Sequence, residues 1–448
     1  MGEGTPHDLE RGLARALGRA GLPAPDGLTR LTGGATMESW RFTAAGEACV
    51  LRRAPSQDFM AERPFGHTVE AEIVRTAHRA GVRAPEVLAN LEPADGIGSG
   101  YVMRALPGTA DPRVILEGNT PLTLLGDAAR DLARIHAIAP ADLPPGIPEI
   151  DYPAAIADLR ERYRAAGGAR PMIALGLRWL ADNCPEPVAP VLNHGDFRLG
   201  NLLADSGRLS GVLDWELAHF GDPHEDLAFG CMAVWRFSRV DRPALGLGSV
   251  EEYVAAYEQE SGRKVDPARL RFWLIYRTVW WALGCLHNAA VWRSGEDRML
   301  ERVVISRRTS EQELDLLLLL EDEAPEAERD RTVPPREDRE RPEGEASAGE
   351  IATAIAEWLE TIKPAMQGHD RFQHAVARNA LGMIARGERT DGDAENAPLA
   401  ASLLHGEMSL ATPGLLAQLR RTALDKLAAD VPKYPMLARA RAKWTGEH

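Results

Sequence analysis

HGDFRLGNLL, residues 194–203, followed by GVLDWE at 211–216, is the stretch on which the reading of this chain turns. His194, Asp196, Arg198 and Asn201 crowd into eight positions, and an acidic pair returns a dozen residues later. No fold by itself asks for such a cluster. Apolar residues in VLNHGD and LSGVLDW read as a strand entering a loop and a strand leaving it. The five-residue step from Asp196 to Asn201 can put a base and a metal ligand on either side of one phosphate, and the second strand returns Asp214 beside Asn201.

That set fits phosphoryl transfer, which needs a carboxylate for the attacking hydroxyl, oxygen ligands for Mg²⁺, and cations on the phosphates of a donor such as ATP. Mg²⁺ takes hard oxygen donors and usually only one or two protein carboxylates. Asp196, Asn201 and Asp214 supply them. Singly, each would read as a turn former or a cap; their joint order and spacing carries the chemistry. Arg198, two residues after Asp196, is placed to steady the terminal phosphate, a plain surface arginine being the other reading. His194 reads as a residue that orients the loop by a hydrogen bond.

Working outward, LTGGATMES at 31–39 sets Gly33, Gly34, Ala35 and Thr36 before a strand, a backbone-rich loop suited to phosphates. Alone it would be only a turn. SWRF and ACVLRR, split by AAGE, predict a β-hairpin. A phosphate cation belongs on its second strand, held by a helix carboxylate. No lysine precedes Lys264, so the cation is Arg52 or Arg53 in VLRR; a planar guanidinium binds phosphate bidentately.

DLERGLARALGRAGL at 8–22 has Leu9, Leu13 and Leu17 on one helical face, and HTVEAEIVRTAHRA at 67–80 predicts a second helix. PEVLAN and GYVMRAL add short strands to a small mixed sheet. From Pro121 the patterns are mostly helical. The stretch 324–349 is nearly all charged, Pro, Gly or small, which predicts a linker; residues 321–350 hold twelve acidic residues against five basic. Amphipathic helices follow.

The net charge of −14 offers no basic surface for nucleic acid. FWLIYRTVWWALGCLHNAAVW at 272–292 contains Arg277, His287 and Asn288, so it reads as a buried helix and no membrane span is expected. The N-terminus lacks a signal-peptide pattern and the four scattered cysteines suit a reducing compartment, so the expected location is cytoplasmic.

HGDxxxxN followed by a strand and DWE resembles the catalytic loop and metal aspartate of the aminoglycoside phosphotransferase family, which includes choline and homoserine kinases. The resemblance implies an α+β, protein-kinase-like bilobal fold: a mixed-sheet N-lobe at 1–106 and a mainly helical C-lobe at 107–322. A charged linker at 323–349 and a separate all-α domain at 350–448 would follow. It implies Asp196 as catalytic base, Asn201 and Asp214 as Mg²⁺ ligands, and ATP as donor. Arg52, rather than Arg53, stands where the family carries lysine or sometimes arginine. Its implied partner is Glu72, with Glu70 the rival. GYVMRALPG resembles the inter-lobe hinge, where backbone groups of Met103 and Arg104 would meet adenine. FGDPHEDLA resembles the segment after the metal aspartate, with Asp222 and Asp226 structural.

Eight residues from Asp214 to Asp222 leave no room for a long activation loop, which favours a small-molecule acceptor. GDFRLGN, VLRRAP and VVISRRTSEQELDLL are most similar to the branch found beside or fused to acyl-CoA dehydrogenases, which implies a hydroxyacyl-CoA acceptor. Arg160, Arg162, Arg164, Arg307 and Arg308 are candidate local anion sites. Residues 350–448 resemble a small domain of unknown function that accompanies such kinases, with self-association its plainest role. The alternatives are an aminoglycoside or choline-type kinase, an inactive nucleotide-binding scaffold, and a protein kinase acting on a neighbouring enzyme.

Overall fold

A computed structural model of the chain describes residues 6–31, 37–54, 60, 63–117, 122–335, 346–387 and 396–446. Its first elements are α1 (Pro6–Arg19), β1 (Asp26–Arg30), β2 (Glu38–Ala44), β3 (Glu47–Ala54), α2 (His67–Arg79), β4 (Val87–Asn90) and β5 (Ser99–Arg104). Then come α3 (Pro112–Leu116), α4 (Leu122–His136), α5 (Tyr152–Ala165), α6 (Pro171–Asp182), β6 (Val191–Asn193), β7 (Leu202–Asp205), β8 (Arg208–Val212), β9 (His219–Gly221), α7 (Pro223–Cys231) and α8 (Val250–Ser261). The rest is helical: α9 (Pro267–Ser294), α10 (Leu300–Arg307), α11 (Thr309–Leu320), α12 (Glu326–Arg329), α13 (Ala348–Ile362), α14 (Gly368–Gly387), α15 (Ala397–His405), α16 (Leu415–Asp430) and α17 (Pro435–Thr445).

These elements gather into two compact units, residues 1–150 with 186–270, and 151–185 with 271–448. In the first, β1–β5 form one antiparallel sheet in the order β1-β2-β3-β5-β4. The expected hairpin is β2–β3: Ala44 pairs with Glu47 across Ala45 and Gly46, both at positive φ, the tight turn that matches strand twist. Leu9, Leu13 and Leu17 of α1 bury their shared face against Phe42, Leu51 and Val102 of the sheet. Gly100 on β5 has a packing reason. A Cβ there would come within 2.2 Å of the Arg52 carbonyl, so only glycine lets β5 run this close to β3.

The division expected after residue 106 is not a boundary between units: the sheet and the catalytic loop lie in the same one. Polar bridges explain this. Arg83 pairs with Asp131 at 2.6 Å, its carbonyl accepts from Val212 N–H, and Thr109 and Ala204 exchange backbone hydrogen bonds. The strands around the loop also differ from the simple in-and-out pair: β6 pairs with β9, whereas β8 pairs with β7.

In the second unit, α6 packs on α11 and α15, and α11 also on α16. α11 is buried on nearly every side, so its carboxylates need internal partners. Arg308 pairs with Glu311, Arg170 reaches Glu313 at 3.3 Å, and Tyr434 Oη donates to Asp315 at 2.5 Å. Glu321, directly after α11, is held by Arg420 at 2.6 Å, Lys443 at 2.6 Å and Trp444 at 2.8 Å. The C-terminal helices α15–α17 therefore share a core with α6 and α11. The start of 323–349 is not an open linker. Ala324 and Val333 are buried, and Glu328 of α12 accepts from Gly414 N–H at 2.7 Å. Two apolar anchors and one buried carboxylate outweigh a composition that reads as solvated. Among the described residues, no helix is long and apolar enough to cross a membrane.

Candidate active site

A cavity of about 620 Å³ opens in the first unit, a volume within the usual range for small-molecule sites. Ser39, Arg41, Val50, Arg52, Tyr101 and Met103 line it from the sheet; Asn201, Asp214 and Glu216 line it from the catalytic loop. Directly paired residues of an antiparallel sheet share a face, and Ser39–Arg52, Arg41–Val50 and Val50–Met103 are such pairs.

The catalytic loop is held from beneath. Gly195 adopts φ +82°, and a Cβ there would meet the Leu217 carbonyl at 2.2 Å, so the HGD turn requires glycine. Asp226 accepts from the backbone N–H groups of His194 at 2.6 Å and Gly195 at 2.9 Å. His136 Nε2–H donates to the same carboxylate at 3.3 Å while Nδ1 meets Tyr257 Oη. Burial works against a charge on Asp226, but these donors outweigh it and hold the carboxyl below its ordinary range. Asp222 caps α7 through His224 N–H and pairs with Arg269 at 2.8 Å. Both aspartates serve the framework. His194 Nε2 bonds the Leu213 carbonyl at 3.0 Å, its Nδ1 accepts from Asp196 N–H, and its ring lies 4.7 Å from buried Trp215. It ties the loop to β8, and burial keeps it neutral by lowering its pKa.

Asp196, Arg198, Asn201 and Asp214 come together. Asp196 accepts from Arg198 Nε at 2.9 Å and from the Asn201 side-chain amide at 2.6 Å. Burial raises the Asp196 carboxyl, Arg198 opposes that rise, and Asp214 adds to it. Leu213 N–H donates to the Asn201 carbonyl at 2.8 Å, which brings Asp214 alongside. Asp214 has φ +68°, a left-handed conformation uncommon outside glycine and often found at working sites.

Arg52, not Arg53, faces the loop. Its Nε lies 3.2 Å from Glu70, and its Nη2 lies 2.6 Å from Asp214 and 3.1 Å from Glu216. Arg53 turns to the other face, onto Glu38 at 2.7 Å and the Ile97 carbonyl. Burial alone would weaken the Arg52 charge; Glu70 and Asp214 reverse that and raise its pKa. The helix partner is therefore Glu70, and the expectation of Glu72 is corrected. Two residues along a helix turn a side chain to the far side: Glu70 is buried, with Tyr101 Oη donating to it at 3.0 Å, while Glu72 points outward and pairs with Arg75. Met103 lines the cavity, but the backbone N–H of Arg104 is spent on the Glu86 carbonyl at 2.9 Å and that of Ala105 on Ala48. The Arg104 side chain pairs with Glu86 at 2.8 Å. Gly33, Gly34, Ala35 and Thr36 lie outside the described residues.

Glu216 was not singled out in the sequence, although it is the last letter of DWE. The turn at Asp214 aims both carboxylates at one nitrogen of Arg52. Burial first, then the neighbouring Asp214, pushes the Glu216 carboxyl up to about 7. A guanidinium nitrogen seated between two carboxylates marks a place built for positive charge, and the donors are the hard oxygens Mg²⁺ takes. Asn201, Asp214 and Glu216 therefore fit a divalent cation. Among the described residues no cluster of three His, Cys, Asp or Glu side chains stands where it could hold a metal ion. The arginines considered for anions are mostly committed: Arg162 to Asp158, Arg164 to Glu161, Arg307 to Asp430 and Arg308 to Glu311.

The chain matches the model of the phosphotransferase enzyme family over residues 27–273 and that of a domain of unknown function over 364–434. It is 31% identical over 270 residues to mouse acyl-CoA dehydrogenase family member 10, covering 56% of this chain and 25% of that protein. It is 28% identical over 220 residues to the Escherichia coli hygromycin-B 4-O-kinase, covering 45% of this chain and 60% of that enzyme. The chain thus spans less than two thirds of each. Among solved structures, a candidate aminoglycoside phosphotransferase from Ralstonia eutropha aligns with a TM-score of 0.54 at 22% identity, covering 68% of this chain and 95% of that one. That likeness shows the fold, the protein-kinase-like one of aminoglycoside phosphotransferases. With the family model spanning more than half of its length, the chain belongs to the phosphotransferase enzyme family.

Proposed function

We propose that this protein transfers the terminal phosphoryl group of ATP to a hydroxyl of a hydroxyacyl-CoA, with Mg²⁺. The observation that carries the transfer chemistry is the Asp196 carboxylate, bonded to Arg198 at 2.9 Å and Asn201 at 2.6 Å at the loop lining the cavity. Asp196 takes the hydroxyl proton as the acceptor oxygen bonds to phosphorus; the bond from phosphorus to the bridging oxygen breaks and ADP leaves. Burial raises the Asp196 pKa and makes it the stronger base, while Arg198 opposes that rise. Asn201 and Asp214, with Glu216 beside them, would hold Mg²⁺, which neutralises phosphate charge when bound. Arg52, braced by Glu70, would clamp the phosphates. The adenine edge would meet Leu106 N–H, which follows the last sheet-bonded amides and has no backbone acceptor among the described residues.

Two relatives named acyl-CoA dehydrogenase family members support the acyl-CoA acceptor. Similarity to a hygromycin kinase supports the second reading, an aminoglycoside acceptor. The test is transfer from γ-labelled ATP with Mg²⁺ to hydroxyacyl-CoA esters, aminoglycosides and choline. Label on an acyl-CoA ester supports the proposal; label only on an aminoglycoside overturns its acceptor. Bound Mg·ATP with no transfer would favour an inactive scaffold.

For the C-terminal helices the proposed partner is a second copy of this chain, through α13. Ile351, Ile355 and Trp358 are 52%, 43% and 59% exposed, and with half-buried Ile362 they repeat at steps of four, three and four. That is the seam of a helix pair. Its flanks Ala352, Ala354, Leu359 and Thr361 carry no charge, so two copies meet without like-charge repulsion.

A further inference from the structure

Arg198 is gripped from two sides. Its Nε donates to Asp196, and its Cζ lies 4.3 Å from the centroid of the Trp235 ring. Arginine over an indole is attracted by the ring's negative face, by about 0.5–1 kcal/mol when exposed and ~2 kcal/mol when desolvated. Trp235 is 8% exposed, so the stack lies toward the stronger end.

The segment that presents Trp235 is itself pinned. Trp235 sits in a one-turn 3-10 helix, Ala233–Arg236, with its N–H on the Met232 carbonyl and the Phe229 ring 6.0 Å away. Phe237 and Ser238 follow at φ +45° and +76°, two consecutive non-glycine residues in the left-handed region. Such conformations cost roughly 1–3 kcal/mol each and persist only where the surroundings over-determine them. The surroundings do so here. Arg236 Nη2 donates to the Cys231 carbonyl at 2.8 Å, Leu245 N–H to Gly230 at 2.8 Å, and Ala244 bridges Gly248. A free arginine carries about 2 kcal/mol of rotamer entropy, which works against a fixed hold on its carboxylate. A rigid indole face removes that freedom.

We propose that Trp235 is a positioning residue for the transfer, holding the Arg198 guanidinium on the Asp196 carboxylate so that the base keeps its aim. It acts through Arg198 and touches neither donor nor acceptor. Its effect on turnover rests on the phosphotransferase reading; the clamp itself does not.

The test compares Trp235→Leu, Trp235→Phe, Arg198→Gln and the double variant Trp235→Leu/Arg198→Gln in the full chain. Trp235→Met, bulky but without a π face, replaces the leucine variant if that one does not fold. Two readouts are taken: phenylglyoxal labelling of Arg198, located by peptide mass spectrometry, and kcat and KM for ATP with Mg²⁺. Trp235→Leu should make Arg198 several-fold more reactive and lower kcat by about tenfold, within the range of a desolvated cation–π contact. KM for ATP should stay within about twofold, and Trp235→Phe should restore most of kcat. The double variant should be no slower than Arg198→Gln alone, because the two residues act as one unit. Unchanged labelling, additive losses in the double variant, or a phenylalanine variant as impaired as the leucine one would overturn the proposal. A labelling contrast without ATP turnover in the unmodified protein would establish the clamp and refute its role in transfer.

Discussion

Nη2 of Arg52 lies 2.6 Å from Oδ1 of Asp214, across 162 residues of chain. The same guanidinium answers Glu70 and Glu216, so one cation bridges three carboxylates from a helix and a loop. Arg52→Gln strips the partner from Glu70, whose side chain is only 2% exposed. Removing one member of a buried pair costs about 3–5 kcal/mol, and urea unfolding should read a loss of that order. Arg52→Lys should recover part of it, since an ammonium keeps the charge but lacks the planar fork. A loss below about 1 kcal/mol in the glutamine variant would mean that this bridge contributes little.

Asp196→Asn keeps the shape of the side chain and removes the base. Turnover should fall by about 10²–10⁴-fold. Nucleotide affinity, measured by titration calorimetry, should change little, because Arg52 and the cavity walls are untouched. An asparagine variant that turns over at the native rate would remove Asp196 from the chemistry.

His67 gives a pH signature. It is buried, bonds Ser99 Oγ through Nδ1, and burial lowers its pKa from 6.5 to about 4. The unfolded chain therefore binds the proton first. Its contribution to stability is present above about pH 6.5 and is lost as pH falls toward 4. At 1.36 kcal/mol per unit the swing is about 3 kcal/mol. Denaturation midpoints of the native chain should fall between pH 6.5 and 4 more steeply than those of His67→Gln. Parallel curves would show that the histidine protonates in the folded state.

Trp358→Glu places a charge in the middle of the α13 seam. Light scattering after size exclusion should find a dimer for the native chain and a monomer for the variant, with helix content unchanged by circular dichroism. A native monomer at micromolar concentration would refute the pairing.

Much of the site was legible because its pieces are local. HGDFRLGN keeps Asp196, Arg198 and Asn201 within six residues, and DWE follows by one hairpin. Local spacing survives folding, so the residues that the sequence groups are the ones the structure brings together. The β2–β3 hairpin and the Leu9–Leu13–Leu17 stripe were legible for the same reason. The partner of Arg52 was not. Glu70 and Glu72 share a helix and a charge, and only the way α2 seats its face on the sheet tells them apart. The start of the 323–349 stretch was misjudged because composition does not register two buried anchors, Ala324 and Val333.

The sequence by itself determined which side chains gather at the HGD loop, because their short spacings survive folding. Tertiary structure alone decided which distant residues complete them: Glu70 behind Arg52, Glu216 beside Asp214, and Trp235 on Arg198. Those choices depend on helix rotation, on a left-handed turn at Asp214 and on the seating of a strained segment. They are set by packing over the whole first unit, which no local pattern encodes.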